Sequence, residues 1–189
     1  MDNSMGKIIC LINETADGFV DSQYVIANDE FHEFVHGILD ESAAVGFGRS
    51  TFELFQGVWP PMLEKPGVSE ALVRMARRLG AMDKIAFSTG LPAVRWANSR
   101  IVRAADKELI ASFKEGAKGL LTIGSPGLVA SLTAMGVVDE YYFPIQPVIA
   151  GGGKVRLFDG LSLDERRPLQ FLDSTRLGSG VNILHYTVK

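Results

Sequence analysis

The alternation of short apolar runs with amphipathic stretches predicts an α/β fold built on a largely parallel sheet. Three observations support this expectation. Strand-like and helical segments follow one another along most of the chain, with no internal repeat, low-complexity tract or interdomain linker, so residues 1–189 read as a single domain. Three of the strand-like segments end in comparable corners: Phe47 into Gly48-Arg49-Ser50, Phe87 into Ser88-Thr89-Gly90, and Ile123 into Gly124-Ser125-Pro126-Gly127. The tail, Pro168 to Lys189, reads instead as two strands joined around Gly178-Ser179-Gly180, an antiparallel hairpin added to the sheet.

The first strand covers Lys7 to Asn13, with Ile8-Ile9-Cys10-Leu11-Ile12 as its apolar run. A polar loop follows from Glu14 to Asp21, with Asp17-Gly18 as its turn signal. The next helix spans Asp29 to Leu39, capped by Asn28 or Asp29, and turns Phe31, Phe34, Val35 and Ile38 inward. Ala43 to Phe47 is the second strand. A helix begins just past Gly48, where Ser50 and Glu53 have capping-box spacing. Gln56 to Gly67 contains Trp59-Pro60-Pro61 and reads as an irregular loop, since proline interrupts a helix. Ser69 caps a helix ending near Leu79 ahead of Gly80, and Arg74, Arg77 and Arg78 suit its C-terminal end.

Lys84 to Phe87 is the third strand, Ser99 to Val102 a short fourth, and Asp106 to Glu115 a helix stopped by Gly116. Leu120 to Ile123 is again strand-like. Gly124 turns the chain, Ser125 supplies an N-cap side chain, and Pro126 suits the first helical position, where its missing N–H costs nothing. Leu128, Val129, Leu132 and Met135 share a helical face, and Gly136 is the stop. Pro144 and Pro147 argue for an edge or bulged strand within Tyr141 to Ala150, ended by Gly151-Gly152-Gly153.

Composition narrows the function classes. A chain of 189 residues with 47% hydrophobic and 22% charged residues has the make-up of a globular domain. Its net charge of −3 offers nothing to nucleic acid or an anionic membrane. No apolar stretch approaches the roughly 20 residues that a spanning helix needs, and the N-terminus lacks a basic-then-apolar leader pattern. The single cysteine, Cys10, lies in the first strand and reads as core, which suits a reducing cytoplasm.

The corners carry the functional signal. A helix N-terminus set directly after a strand and opened by small residues presents N–H groups and a positive dipole end to a phosphate. In open α/β sheets, ligands bind beyond the carboxyl ends of the strands. If the strands are parallel neighbours, Gly48, Arg49, Ser50 and Thr51, then Ser88 and Thr89, then Gly124 through Leu128 share one rim, long enough for a dinucleotide. Arg49 adds a guanidinium suited to the 2′-phosphate that separates NADP from NAD. No G-x-G-x-x-G follows the first strand, so this is not the usual dinucleotide fingerprint.

Several stretches occur together in a familiar order: Gly48-Arg49-Ser50-Thr51-Phe52-Glu53, Trp59, Lys84-Ile85-Ala86-Phe87-Ser88, Trp96-Ala97-Asn98-Ser99, Gly124-Ser125-Pro126-Gly127-Leu128, Val138-Asp139-Glu140 and Pro147 through Gly153. In these, from Lys7 to about Gly160, the chain resembles the dihydrofolate-reductase-like proteins related to the reductase domain of the bifunctional riboflavin-biosynthesis deaminase–reductase. The resemblance implies a three-layer α/β/α fold, NADPH as hydride donor, a small pyrimidine- or pteridine-like or carbonyl substrate, and a homodimer. It places the 2′-phosphate near Arg49, the adenine side near Ser88, the pyrophosphate against Gly124 to Gly127, and the nicotinamide near the Glu14–Asp21 loop. Relatives usually carry a serine where this chain has Glu14-Thr15-Ala16.

Hydride transfer needs no protein nucleophile, but a proton must reach the substrate. Asp17, Asp29 and Glu30 are the candidate acids, with His32 beside them. Folate reductases keep a carboxylate near the start of the helix after the first loop, which by analogy favours Asp29 or Glu30. Each of these also suits a helix cap or first turn. Trp59 and Trp96 are candidate walls for a flat substrate, and Lys154 and Arg156 candidate contacts for a phosphate-bearing one.

Two rival classes stand beside the reductase. His32-Glu33-Phe34-Val35-His36 matches the H-E-x-x-H pattern of zinc hydrolases, with two histidines on one helix face and Glu33 as base. A third ligand would have to come from His185, Glu53 or Glu64, none at the expected spacing. The other rival is a nucleotide-binding protein without turnover.

Overall fold

Every residue of the first strand is buried, and this sets the plan of the molecule. In the computed structural model, which describes residues 5–189, β1 (Ile8–Leu11) sends Ile9 and Leu11 to one face of a sheet and Ile8 and Cys10 to the other. A strand covered on both faces reads as a continuous apolar run, as parallel strands do. The elements that follow are β2 (Glu14–Thr15), α1 (Asp29–Asp40), β3 (Ser42–Gly48), α2 (Arg49–Met62), α3 (Glu70–Ala81), β4 (Asp83–Phe87) and β5 (Ser99–Val102). Then come α4 (Lys107–Ser112), β6 (Gly119–Ile123), α5 (Pro126–Met135), β7 (Glu140–Gln146), β8 (Leu169–Arg176) and β9 (Asn182–Val188).

The strands form one sheet in the order β5-β4-β3-β6-β1-β7-β9-β8, with β2 paired to β7. Pairing is parallel from β5 through β7, and β9 and β8 are the antiparallel C-terminal hairpin. Helices α1, α2 and α3 cover one face, burying Phe31, Val35, Phe52, Trp59, Met75 and Leu79 against it. On the opposite face Ile110 of α4 and Leu128, Val129 and Leu132 of α5 pack over Ile8, Cys10 and Leu120. The three-layer, mostly parallel expectation holds. Burial pushes the Cys10 thiol up to about 12, in keeping with a core residue. No helix among the described residues is long and apolar enough to cross a membrane.

Local chemistry explains most helix starts. Asn28 Oδ1 accepts from the Phe31 amide at 3.0 Å, Ser69 Oγ from Leu72 at 3.3 Å, and Asp106 Oδ1 from Leu109 at 2.8 Å. Two expected caps fail. Helix α2 begins two residues earlier than the Ser50–Glu53 box requires, with Gly48 at its N-cap, and Glu53 instead pairs with Arg49 at 3.2 Å. Ser125 adopts left-handed backbone, φ 61°, and makes no cap bond to its own helix.

The larger correction concerns Trp59-Pro60-Pro61, which continues α2 where an irregular loop was expected. The two prolines leave the carbonyls of Gln56 and Gly57 without helical donors, a real cost. Burial of Trp59 offsets it, and the helix ends in a tightened turn, with the Leu63 and Glu64 amides donating to Pro60 and Pro61. Strand β7 stops at Gln146, short of the expected Ala150, and α4 stops at Ser112.

Two carboxylates fasten the loop after β1 to the segment after β7. Asp17 accepts from Thr15 Oγ1 at 2.7 Å and from the amides of Ala150 and Gly151 at 3.0 and 2.9 Å. Asp21 accepts from the Lys154 amide. Gly153 has to be glycine, since a Cβ there would lie 2.4 Å from the Phe19 ring and 2.6 Å from the Asp21 carboxylate. At the outer edge of the sheet, the β8–β9 register shifts between Phe171 and Asp173, so Leu172 is left without an opposite residue.

Lys84 is wholly buried in β4. Its ammonium donates to the carbonyls of Leu79, Gly80 and Met82 at 2.7, 3.2 and 2.7 Å, and sits 4.7 Å from the Trp96 ring centre. It closes the C-terminal end of α3, where carbonyls point out of the helix and favour a cation. Burial pulls its pKa down to about 8, opposed by the Asp83 charge, so the ammonium persists at neutral pH.

Lys84→Met is expected to lower the unfolding free energy by about 3 kcal/mol, because it strands two buried acceptors and a third that is half-buried. The urea midpoint checks this, and an unchanged midpoint would show that the carbonyls do not need the ammonium. Asp17 is held down to about 2 from 3.8 by the Thr15 hydroxyl first and the Ala150 amide next. A folded value below the unfolded one means that its contribution is complete above pH 3.8 and fades as pH falls towards about 2. Wild type and Asp17→Asn should therefore differ in stability at neutral pH and converge across that acid window. A difference constant through the window would contradict this.

Candidate active site

Parallel pairing brings the three corners to one rim. Gly48 stands opposite Phe87 across β3 and β4, and Gly46 opposite Thr122 across β3 and β6, so the chain leaves β3, β4 and β6 at the same edge. The corners also touch. Left-handed backbone at Gly124 and Ser125, φ 66° and 61°, turns the Ser125 hydroxyl across to β3, where its Oγ accepts the Gly48 N–H at 2.8 Å. Thr51, in the first turn of α2, lies beside Gly124, with its Cγ2 3.6 Å from where a Cβ would stand. The Arg49 guanidinium reaches the next corner, with Nη1 3.3 Å from the corresponding point on Gly90.

That corner is shaped by Ser88, whose Oγ accepts from Gly90 and Leu91, and by Arg103. Arg103 donates to the carbonyls of Ser88, Thr89 and Leu91 at 3.3, 3.2 and 2.7 Å. Neither α2 nor α5 has a side-chain cap, so two neighbouring helix N-termini open on this rim. Ser50, Thr89 and Gly127 are exposed along it, and Pro126 is half-buried. The Leu128 side chain instead enters the core beneath the sheet, leaving only its backbone for a ligand.

Beside the rim lies a cleft of about 510 Å³, within the range of small-molecule sites. Helix α3 packs on both α1 and α2, and the cleft runs between those two helices with Leu72 and Met75 of α3 as its floor. One wall is a single face of α2: Thr51, Leu54, Phe55, Val58, Trp59 and Met62. The twelve residues from Thr51 to Met62 make this wall about 18 Å long. Phe31, His32 and Val35 of α1 form the other wall, and Asn13, Gly124, Ser125 and Pro126 join the cleft to the rim. Gln146 positions this junction, donating to Asn13 Oδ1 at 2.8 Å and accepting the Ile26 amide at 2.9 Å.

Among the described residues, His32 is the only titratable side chain lining the cleft. It is 7% exposed and meets Trp59 edge-on at 5.6 Å, and its Nδ1 is itself buried and has no hydrogen-bond partner among the described residues. Burial lowers its pKa, with the Asp29 charge working in the opposite sense.

The candidate acids lie elsewhere. Asp17 is the ionised clasp described above, Asp29 accepts from Ser69 Oγ at 2.6 Å, and Glu30 accepts from the Gly178 amide at 2.8 Å. None of the three lines the cleft. The two tryptophans also part company: Trp59 walls the cleft, whereas Trp96 packs on Phe52 under Lys84. Arg156 stacks on Phe19 and donates to the Asp17 carbonyl, and neither it nor Lys154 reaches the cleft. The H-E-x-x-H residues are engaged separately. His36 pairs with Asp40, Glu33 with Arg74, and His185 is held between Glu140 and Asp173. Among the described residues no three His, Cys, Asp or Glu side chains converge for a metal ion.

Comparison with known proteins places this architecture. The model of the RibD C-terminal domain matches residues 7–183. The uncharacterized protein YyaP of Bacillus subtilis (strain 168) is 24% identical over 186 residues, spanning 93% of this chain and 91% of that protein. Among solved structures, a putative riboflavin biosynthesis protein from Shewanella sp. PV-4 superposes with a TM-score of 0.73 at 16% identity, covering 97% of this chain and 99% of that one. Dihydrofolate reductase from Enterococcus faecalis, complexed with NADP(H), shares the fold at a TM-score of 0.59, with 12% identity and 98% of each chain covered. With residues 7–183 matched by that model, nearly its whole length, the chain belongs to the RibD C-terminal domain family.

Proposed function

We propose that this protein is an NADPH-dependent reductase of a small heterocyclic or carbonyl substrate. One observation carries the reading: the Ser125–Gly48 bond joins two uncapped helix N-termini on a single rim, with Arg49 and Arg103 at the neighbouring corner and an apolar cleft alongside. The residues present fit the cofactor. The first-turn amides of α2 and α5 suit its phosphates, and Arg49, exposed and paired with Glu53, suits a 2′-phosphate. The NADP(H) named with the Enterococcus faecalis enzyme of the same fold supports the same choice.

When bound, NADPH supplies a hydride. The chain's part is then to hold an electrophilic carbon against the nicotinamide and keep water away, which the apolar walls of Phe31, Phe55 and Trp59 are suited to do. The junction at Asn13, Thr51, Gly124 and Ser125 is the place where rim and cleft meet, and so where cofactor and substrate would meet.

Titration with NADPH and NADH tests this directly. NADPH should saturate, with NADH much weaker, and failure of both to bind would end the proposal. Arg49→Ala should weaken NADPH about tenfold, near 1.4 kcal/mol, while leaving NADH almost unchanged. Equal losses would mean that Arg49 supports structure only. Ser125→Ala should behave differently and weaken both nucleotides together, because it releases the Gly48 corner that either would use.

A further inference from the structure

We infer that Gln146 is a positioning residue that sets the polarity of Asn13, so that Asn13 presents its Nδ2 donor, and not its oxygen, to the carboxamide carbonyl of the nicotinamide. The inference rests on the reductase reading and adds two side chains to the junction of rim and cleft. Gln146 is 1% exposed at the end of β7. An amide side chain has two ends of nearly equal shape, and only its hydrogen-bond partners decide which end points where. Here the backbone decides. The Ile26 N–H can only donate, so the Gln146 atom 2.9 Å from it is Oε1. Nε2 then faces Asn13 and can only donate in turn, so the Asn13 atom that meets it at 2.8 Å is Oδ1. Asn13 Nδ2 is the end left over, and among the described residues nothing accepts a hydrogen bond from it.

The sheet explains why these two side chains meet. The pairing offset with β7 is the same at Leu11–Tyr142 and at Glu14–Ile145, so Asn13 stands across from Pro144 and diagonal to Gln146. Alternation sends Ile9 and Leu11 to the α1–α3 face, and Asn13, two residues further, falls on that same side, where it lines the cleft. The Leu11 carbonyl accepts the Gly124 amide at 2.8 Å, which sets Asn13 beside the α5 corner, on the cofactor side of the junction. A carboxamide carries a carbonyl at one end and an NH2 group at the other. A donor whose own oxygen is already engaged selects the carbonyl, and holding that end fixes how the group is turned on its ring. Gln146 touches none of this and acts only through Asn13.

The test is calorimetric titration with NADPH, with thio-NADPH, whose carboxamide oxygen is replaced by sulfur, and with 2′-phospho-ADP-ribose, which lacks the nicotinamide. Sulfur is a weak acceptor, so the wild type should bind thio-NADPH about threefold more weakly than NADPH. Equal affinities overturn the inference. Asn13→Leu should weaken NADPH about fivefold, the scale of one hydrogen bond, erase its advantage over thio-NADPH and leave 2′-phospho-ADP-ribose unchanged. No loss on NADPH, or an equal loss on 2′-phospho-ADP-ribose, overturns it. Gln146→Met frees Asn13 to present either end and should weaken NADPH about twofold, as expected when the competent state is half populated, again sparing 2′-phospho-ADP-ribose. An unchanged NADPH affinity, or equal losses on both, would deny Gln146 its positioning role. Should either variant fold poorly, the wild-type comparison of NADPH with thio-NADPH decides alone. If neither NADPH nor 2′-phospho-ADP-ribose binds the wild type, the reductase reading falls and takes this inference with it; if both bind and the carboxamide comparison fails, only this inference falls.

Discussion

A single hydrogen bond, from the Gly48 amide to Ser125 Oγ at 2.8 Å, fixes two strand ends that are 77 residues apart in the chain. Parallel pairing alone puts those ends on one edge of the sheet, but it leaves the loops beyond them free to diverge. The bond requires Ser125 to leave ordinary backbone space, a strain that a non-glycine residue sustains only when its surroundings over-determine it. Here the reward is geometric: α2 and α5 start side by side, and their positive ends act on the same volume.

That volume borders one of opposite character. The rim is built from backbone amides, hydroxyls and two arginines, whereas the cleft is built from aromatic and aliphatic side chains with one histidine among them. The division follows from the sheet. Corners at strand ends expose backbone, while the space between two helices exposes whatever their inner faces carry. A charged, extended ligand and a compact, apolar one would each find its own solvent replaced without either intruding on the other.

The fold was legible because its signals are local or periodic. Continuous apolar runs such as Ile8 to Ile12 mark doubly covered strands, and Gly136 and Asn28 mark helix ends in the way expected of them. The corners were legible as well, since small residues after a strand have few other uses. What escaped was set by contacts distant in sequence. Ser125 looks like an N-cap, and only the presence of Gly48 beside it turns its hydroxyl away. Lys84 looks like a strand-edge lysine, and only the carbonyl end of α3 makes it a buried clasp. The α2 wall was in plain view as Thr51, Leu54, Phe55, Val58, Trp59 and Met62, an i, i+3, i+4 series that runs on into Pro60-Pro61. Proline's reputation as a breaker hid it, although a helix can end through prolines when a large residue such as Trp59 anchors the turn. The carboxylates of the first loop and helix were noticed for their chemistry, while their partners, Gly178, Ser69 and Ala150, lie too far along the chain to be foreseen.

The displaced register at Leu172 has a consequence for the sheet as a whole. Strand β8 is its outermost member, with Phe171 and Leu172 turned substantially to solvent. An edge of that kind is ordinarily a template on which further chains can add. The extra residue interrupts the even spacing of outward amides and carbonyls and twists the margin, so an incoming strand finds no regular ladder to extend. Growth of the sheet is thereby arrested at its own border by one residue out of step.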